Sequence, residues 1–284
     1  MYENVSLSAV KLIAIDMDGT LLLSDHKTVP QANIDAIRAA QRAGIRVCIS
    51  TGRMLEDASD FLNHLDLPCA VIAANGTRII DSPLPEGKII FERHFDSGDA
   101  MKAIDILLPY RMMINGFEDG VVNTVQDDSG RVYHLVERGL IQPRYGEQAL
   151  REAAIRGIMK IFVVASAMWD AKEDERIPEA REAIRKALPH LEIVSSSPNN
   201  IEIMPPEAGK GAALAYLAEQ MGLMRENVMA IGDAENDLSM LEYAYHSVAM
   251  GNAALSVKNR CRYETLKNDE CGVAHIIREI LALQ

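Results

Sequence analysis

The chain has 284 residues, a length that fits one large domain or two ordinary ones at about 100–200 residues per domain. Its composition, 48% hydrophobic and 25% charged, is typical of a globular protein and excludes a disordered, collagenous or disulfide-stapled chain. A net charge of −12 has the wrong sign for binding nucleic acid or an anionic membrane. The excess carboxylates either form a solvated surface or gather around a cation.

The cysteines and the hydropathy indicate the compartment. Cys48, Cys69, Cys261 and Cys271 stand far apart and form no C-x-x-C pair, which is typical of core residues in a reducing compartment. No apolar run approaches the roughly 20 residues of a membrane span, and the N-terminus has no cleavage pattern of a signal peptide. The sequence therefore predicts a cytoplasmic protein without nucleic-acid or membrane partners, either a monomer or a small homo-oligomer.

Apolar runs and helical segments alternate along both ends of the chain. Strands without strict polar alternation, as in a parallel sheet buried on both faces, are predicted for residues 11–15, 45–49, 70–73 and 228–231. Helices are predicted for residues 30–43, with Gly44 just past the end, and for residues 210–221, with Gly222 as the C′ residue.

The middle of the chain has a different pattern. Asn115-Gly116 and Asp119-Gly120 are turn signals between β-favouring runs, and helical stretches flank them. Pro83 and Pro85 on one side, and residues 195–206 on the other, mark the borders of an insertion. The predicted fold is α/β: a Rossmann-like parallel sheet core with helices on both faces, formed by residues 1–84 and 201–284, plus an inserted α+β cap domain, residues 85–200.

Two acidic motifs follow predicted strands. Asp16 and Asp18, in the run D-M-D-G-T, come directly after residues 11–15 and project beyond the carboxyl end of the strand, where open α/β sheets bind ligands. Asp233, Asn236 and Asp237 follow residues 228–231 at i, i+3 and i+4, so a turn entering a helix gathers them on one face. Taken alone, the first motif is also compatible with a plain turn, and the second with a capped helix start.

Two further segments carry polar groups of the kind that bind anions. Thr51, Gly52 and Arg53 come after residues 45–49 and supply a hydroxyl, a backbone amide and a cation. Lys210 opens the second predicted helix, where the helix dipole disfavours a cation. An ordinary surface lysine is the simpler interpretation of that residue, but its unfavourable position also suggests that another group holds it there.

In this order, the four segments resemble the motifs of the haloacid dehalogenase superfamily of phosphatases. The runs I-A-I-D-M-D-G-T-L-L, S-T-G-R, A-N-G-T, G-K-G-A-A-L and A-I-G-D-A-E-N-D-L-S-M-L-E look like the Cof-type branch, which has a type IIB cap. The run A-M-G-N-A, residues 249–253, fits the same branch. The chain departs from that branch at Glu207-Ala208-Gly209, where a serine more often precedes the lysine.

The resemblance implies a role for each motif residue. Asp16 would be the nucleophile and Asp18 the general acid and base, and both are counted as catalytic together with Thr51 and Lys210. Substrate phosphate would be bound by residues that follow the second strand, Thr51, Gly52 and Arg53, and by Asn75, which follows the third. Lys210 and Asn236 of the later motifs would complete this set. Arg53 and Asn75 fit a structural role equally well.

Converging carboxylates require a cation, because two of them about 4 Å apart repel by roughly 4 kcal/mol at an effective dielectric near 20. The resemblance implies Mg²⁺, held by Asp16, Asp18 through its carbonyl, and Asp233, with Asp237 either binding the ion or lying just behind it. The predicted function is a Mg²⁺-dependent phosphatase, a phosphoric monoester hydrolase, acting on small phosphorylated metabolites, sugar phosphates above all. A sugar phosphomutase and a non-catalytic protein that binds a phosphorylated metabolite are the alternatives.

Overall fold

The chain divides into two units in the computed structural model, which describes residues 6–125, 135–165 and 174–283. The first unit consists of Met1–Phe91 and Gly209–Gln284, and the second of Glu92–Ala208. The predicted borders lay at 84/85 and 200/201. The second border lies further along the chain because residues 200–204 form a strand that pairs inside the second unit.

The elements are numbered along the whole chain. The strands are β1 Leu12–Ile15, β2 Arg46–Ser50, β3 Ala70–Ala73, β4 Arg78–Ile80, β5 Ile89–Glu92, β6 Met113–Glu118, β7 Val121–Val125, β8 Gln142–Tyr145, β9 Lys160–Val164, β10 Glu192–Val194, β11 Asn200–Met204, β12 Val228–Gly232, β13 His246–Ala249 and β14 Tyr263–Glu264. The α-helices are α1 Gln31–Arg42, α2 Leu55–His64, α3 Ser97–Leu107, α4 Glu147–Arg156, α5 Arg176–Ala187, α6 Lys210–Gln220, α7 Leu238–Tyr243, α8 Leu255–Lys258 and α9 Gly272–Leu281.

The first unit is built on a sheet of order β14-β13-β12-β1-β2-β3-β4-β5. Strands β14 to β3 run parallel to their neighbours, and β4 is antiparallel to β3. Ile15 at the end of β1 pairs with Ile231 of β12 on one side and with Ile49 of β2 on the other. The sheet therefore draws its central strands from both ends of the chain.

Alternate residues of the sheet enter two separate cores. Ile13 and Ile15 pack in the cluster that contains the apolar residues of α1, α2 and α9. Leu12 and Ala14 pack in the cluster that contains those of α6, α7 and α8. A strand that is buried on both faces has no polar side to display, which explains why its sequence lacks alternation. The predicted α/β fold with helices on both faces of a parallel sheet is confirmed.

The two predicted helices of this unit end as expected. Gly44 has φ +82° and Gly222 has φ +66°, so each takes the left-handed conformation that closes a helix. The amide of Gly222 donates to the carbonyl of Glu219, and that of Leu223 to the carbonyl of Ala218. This pair of bonds satisfies carbonyls that the helix itself leaves without a donor.

The second unit has a sheet of order β10-β11-β9-β6-β7-β8, antiparallel except for the pair β7–β8. Helices α3, α4 and α5 pack against it in one apolar cluster. Asp119-Gly120 forms the predicted turn, between β6 and β7. The prediction of a turn at Asn115-Gly116 is wrong, because both residues lie within β6. A Cβ at Gly116 would come within 2.6 Å of Leu150 Cδ1, so this glycine makes room for a helix.

Among the residues that the structure describes, no helix combines the length and the apolar character needed to cross a membrane.

Candidate active site

The predicted site residues follow the carboxyl ends of neighbouring parallel strands of the first unit. Asp16 continues β1, and its amide donates to the carbonyl of Ile231 at 3.0 Å. Thr51 continues β2, and its amide donates to the carbonyl of Ile72 at 2.8 Å. Asp233 comes directly after β12. The sheet edge thus collects side chains that are far apart in the sequence.

Lys210 is buried at this edge, with 1% of its surface exposed. Its Nζ donates to Asp16 Oδ1 and to Asp237 Oδ1, both at 2.6 Å. Burial by itself would lower the pKa of the Lys210 amine, but the charges of Asp16 and Asp237 outweigh burial and raise it. The lysine is therefore a fixed cation, and a pair of carboxylates explains its position at a helix start.

Backbone contacts place the start of α6. The turn after β3 holds Asn75 at φ +56° and Gly76 at φ +99°, conformations that favour glycine and asparagine. A Cβ at Gly76 would collide with the carbonyl of Gly209, the residue before Lys210. The amide of Gly211 donates to Ser239 Oγ at 3.1 Å. The lysine is thus held between this turn and α7.

Three carboxylates converge beside this lysine. Single oxygens of Asp16, Asp233 and Asp237 lie within 4.8 Å of one another. Asp237 uses Oδ1 for Lys210 and Oδ2 for the amides of Asp233 and Ala234, at 3.0 and 3.1 Å. Both of its oxygens are therefore engaged by the protein, which makes it an anchor for the lysine.

Asp16 and Asp233 each place one oxygen against a protein donor. Asp16 Oδ1 faces Lys210, and Asp233 Oδ1 accepts the hydroxyl of Thr20 at 2.8 Å. Burial and the charge of Asp237 raise the pKa of Asp16 well above its usual range, and the same causes raise the pKa of Asp233 to about 7. Carboxylates held together in this way favour a bound cation, so the donor set fits a hard, oxygen-preferring ion such as Mg²⁺.

Asp18 takes a different place from Asp16. Its Oδ2 accepts Nε of Arg53 at 2.9 Å, its Oδ1 accepts Nη2 of Arg53 at 2.8 Å, and Nδ1 of His26 lies 3.3 Å from Oδ1. Burial would raise the pKa of Asp18, but the hydrogen bonds from Arg53 and His26 outweigh burial and lower it. In this conformation Asp18 is an ionised carboxylate paired with Arg53.

Arg53 itself is held by the start of α2. Its Nη1 lies 3.4 Å from Asp57 Oδ2, and its guanidinium carbon lies 5.7 Å from the centre of the Phe61 ring. The sequence left open whether this guanidinium contacts substrate or has a structural role. In the structure its partners are Asp18, Asp57 and the ring, so its first partner is an acid of the site itself.

The remaining predicted residues line the same edge. Thr51 is buried, and its Oγ1 accepts the amide of Arg53 at 3.1 Å, which leaves its hydroxyl proton to donate. Gly52 follows it and is half-buried. Asn236 and Asn75 are both buried, and the Nδ2 of Asn236 lies 3.5 Å from Oδ1 of Asn75.

Several residues that shape the site were not predicted from the sequence. Thr20 orients Asp233, and Gly19 has no side chain where one would collide with the Asp233 carboxylate. The run D-G-T contains both residues, so their place in the motif was the available signal. His26 and Asp57 gave no signal, since neither belongs to a recognisable motif.

The haloacid dehalogenase-like hydrolase family matches residues 13–277 of this chain. The chain belongs to this family, and the resemblance seen in its motifs is confirmed. Like its relatives, it is an enzyme of the phosphatase class.

Two relatives and one solved structure illustrate the similarity. The chain is 36% identical over 291 residues to phosphatase YwpJ of Bacillus subtilis, covering 96% of this chain and 100% of the relative. It is 34% identical to the 5-amino-6-(5-phospho-D-ribitylamino)uracil phosphatase YwtE of the same organism, covering 97% of this chain and 99% of the relative. The structure of a haloacid dehalogenase-like hydrolase from B. subtilis superposes with a TM-score of 0.81 at 32% identity, covering 95% and 99% of the two chains.

Proposed function

We propose that this enzyme hydrolyses small phosphorylated metabolites, sugar phosphates above all, through an aspartyl-phosphate at Asp16. The observation that carries the proposal is the buried Lys210, whose Nζ lies 2.6 Å from one oxygen of Asp16. The lysine holds the Asp16 carboxylate in one orientation and keeps a positive charge next to it. A phosphate group that approached this carboxylate would meet the same cation.

Mg²⁺ is proposed as the cofactor. Asp16, Asp233 and the backbone carbonyl of Asp18 would hold it, whereas Asp237, with both oxygens occupied, would hold Lys210. When bound, the ion would neutralise phosphate oxygens and so lower the repulsion between an anionic substrate and the carboxylates.

The phosphoryl group would be transferred in two displacements. An oxygen of Asp16 attacks phosphorus, the bond to the leaving oxygen breaks, and that oxygen takes a proton from Asp18. Water then attacks phosphorus and gives a proton to Asp18, the bond to Asp16 breaks, and free phosphate leaves. Lys210, the hydroxyl of Thr51, the amide of Gly52 and the side chain of Asn236 would stabilise the charge that develops on the phosphoryl oxygens.

The pairing of Asp18 with Arg53 would suit one half of the proposed reaction better than the other. An ionised Asp18 serves as the base that accepts a proton from water. The first half needs a protonated Asp18, and a guanidinium that bonds both carboxylate oxygens opposes protonation. Arg53 therefore has to release Asp18 before the leaving oxygen can be protonated, with Asp57 and Phe61 left to hold the guanidinium.

The second unit is proposed to act as the cap that selects the leaving group. One face of its sheet carries Asn115 and Thr124, which lie directly opposite each other in register. Both are buried, and Asn115 Oδ1 and Thr124 Oγ1 have no hydrogen-bond partner within the described part of the chain. Groups of this kind would suit the hydroxyls of a sugar or a polyol, and the name of the relative YwtE describes a phosphorylated ribityl compound.

A reducing, cytoplasmic location is proposed from the thiols. Cys48, Cys69, Cys261 and Cys271 are all free. Burial raises the pKa of Cys48 and of Cys69, so these two behave as small apolar residues of the sheet.

The proposed nucleophile is tested by Asp16→Asn, assayed with p-nitrophenyl phosphate in Mg²⁺ and then with a panel of sugar phosphates. We expect kcat to fall by at least about 10³-fold, since the attacking oxygen is lost. The variant should stay folded, as its far-UV circular dichroism would show, because Lys210 still has Asp237 as a partner. Asp35→Asn, the same change on the exposed face of α1, is the matched control and should retain full activity. Wild-type turnover by the Asp16→Asn enzyme would overturn the mechanism.

A further inference from the structure

The loop that carries Asp18 is tied to the rest of the first unit by asparagine side chains. Residues 16–22, here called the Asp16 loop, expose three backbone carbonyls to such donors. Gly19 O accepts Nδ2 of Asn252 at 2.8 Å, Leu21 O accepts Nδ2 of Asn33 at 3.3 Å, and Leu22 O accepts Nδ2 of Asn268 at 3.0 Å. Asn33, Asn252 and Asn268 are together called the asparagine clasp.

The clasp is itself anchored. Asn252 Oδ1 accepts the amide of Asn268 at 3.0 Å, and Asn33 Oδ1 accepts the amide of Ala274 at 3.0 Å. Two of the three amides therefore bridge the Asp16 loop to the segment 252–274, using the donor on one side and the acceptor on the other. The backbone amide and the hydroxyl of Ser24 reinforce the same connection through Asp269, at 2.9 and 2.7 Å.

Gly19 is the point of the Asp16 loop where an outside restraint has most effect. It has φ +84° and ψ −4°, a region that glycine enters freely and leaves as freely, because no Cβ restricts it. A Cβ at this position would collide with the Asp233 carboxylate, and the next residue, Thr20, donates to Asp233. The conformation of this one residue thus sets how the loop meets Asp233.

Asn252 restrains that conformation directly. The peptide between Gly19 and Thr20 is planar, so a hydrogen bond that fixes the Gly19 carbonyl also fixes the plane of the Thr20 amide. From these contacts we infer that Asn252 is a positioning residue of the active site, which acts through Gly19 O to hold Thr20 against Asp233 and to hold Asp18 beside it. Within the described residues, the hydrogen bonds of the Asn252 side chain run to Gly19 O and from the Asn268 amide, not to these three side chains, and the inference rests on the proposed function of the site.

The side chain of Asn252 is exposed, so its replacement leaves the apolar cores unchanged. Asn252→Ala removes both hydrogen bonds of the side chain. Asn252→Asp keeps the acceptor for the Asn268 amide but loses the donor to Gly19 O and puts a carboxylate against a carbonyl. The matched control is Lys258→Met, which removes a hydrogen bond of 2.8 Å to the carbonyl of Gly251, the residue next to Asn252, and an ion pair with Glu264. It leaves the hydrogen bonds of the Asp16 loop in place.

The experiment measures kcat and KM for p-nitrophenyl phosphate together with hydrogen–deuterium exchange of the amides of residues 17–22. In Asn252→Ala we expect kcat to fall about tenfold, KM to stay within about twofold, and exchange in the Asp16 loop to accelerate. Asn252→Asp should lose at least as much, and Lys258→Met should match the wild type in every readout.

Two results would overturn the inference. A wild-type kcat in Asn252→Asp would show that the bond to Gly19 O does not matter for activity. The side chain would then serve only its bond to Asn268 and the fold of the C-terminal segment. Unchanged exchange in Asn252→Ala would show that Gly19 needs no tether. If the wild-type enzyme released phosphate from none of the substrates tested, only the proposed function would be overturned. The exchange measurement would still decide whether Asn252 restrains the Asp16 loop.

Discussion

The free energy of the buried Lys210 is the sum of a large desolvation cost and a large attraction to carboxylates. Removing an ammonium group from water costs several kcal/mol, and attraction to two carboxylates at 2.6 Å repays that cost only while both partners remain. Asp237 secures the lysine, and Asp16 is left with one oxygen that Lys210 does not bind. The arrangement keeps the Asp16 carboxylate buried while Lys210 bonds only one of its two oxygens.

The roles of Asp233 and Asp237 toward a metal ion are separable by experiment. We expect Mg²⁺ to raise the thermal midpoint of the wild-type protein, because an ion that binds only the folded state stabilises it. Asp233→Asn should abolish this increase. Asp237→Asn should keep most of it, since both oxygens of Asp237 are engaged by Lys210 and by backbone amides.

Thermal unfolding in EDTA and in millimolar Mg²⁺ provides the measurement, and the increase within each variant is compared rather than the absolute midpoint. An equal loss of the increase in both variants would contradict the assignment and make Asp237 a ligand.

His246 predicts a pH dependence of stability. It is fully buried in β13 between the rings of Tyr245 and Tyr263, and burial lowers its pKa below the ordinary 6.5. The unfolded chain therefore binds a proton at His246 more readily than the folded chain does. The contribution of His246 to the free energy of unfolding is fully present above about pH 6.5 and is lost as the pH falls below that value. Urea unfolding between pH 7.5 and 5.5 should show this decrease, and His246→Gln should show a smaller one. Identical slopes in the two proteins would exclude His246 as the cause.

At the level of residues, the sequence predicted which side chains come together better than it predicted their partners. Asp16 and Asp233 follow strands in short motifs, Lys210 opens a helix, and the structure brings all three to one sheet edge. The pairing of Arg53 with Asp18 was missed, since a guanidinium chooses among several acids by distances that only the folded chain defines. Asn252 was noted only as part of a motif, and its contact with Gly19 depends on two loops meeting.

Elements of the first unit followed their sequence patterns closely. Strands β1, β2, β3 and β12 lie within one residue of their predicted bounds at each end, because strands that are buried on both faces appear as plain apolar runs. The pattern failed at Asn115-Gly116, where a turn-favouring pair lies inside β6. A turn signal describes local preference, and here the need to admit the side chains of Leu150 and Ile158 decides.

Two glycines of the first unit separate backbone strain from a steric clash. Gly44 has φ +82° and open space within 4 Å of the position that a Cβ would take, whereas Gly76 has φ +99° and faces the backbone of Gly209. Gly44→Ala should lower the free energy of unfolding by about 1–2 kcal/mol, from the left-handed conformation alone. Gly76→Ala should cost roughly 1–3 kcal/mol more.

Because Gly209 precedes Lys210, Gly76→Ala should also reduce kcat by about tenfold, while Gly44→Ala leaves kcat unchanged. Urea unfolding and steady-state kinetics measure the two effects. Equal losses of stability in both variants would mean that the close approach of Gly76 to Gly209 adds nothing to the cost of a Cβ at residue 76.

On the scale of the whole molecule, the second unit is continuous in sequence and has its own apolar cluster. That cluster joins α3, α4 and α5 to the sheet through residues such as Ile104, Leu150 and Ile161. We expect residues 92–208, expressed alone, to fold and to unfold in one cooperative transition in urea. Leu150→Ala should lower the stability of the fragment by about 2–5 kcal/mol. A far-UV circular dichroism spectrum typical of an unfolded chain would contradict the division into units.

The pairing of β1 with β12 has a consequence for the order in which the protein is made. During synthesis β1, β2 and β3 leave the ribosome early, while Val228, the partner of Leu12, is added only after all of residues 92–208. The second unit can therefore complete its fold first, and the growing chain has to carry an apolar strand with one unpaired edge until β12 arrives. An unpaired edge of this kind favours pairing with another nascent chain. Chaperones that cover strands during translation would therefore matter most for the unit that carries the candidate active site.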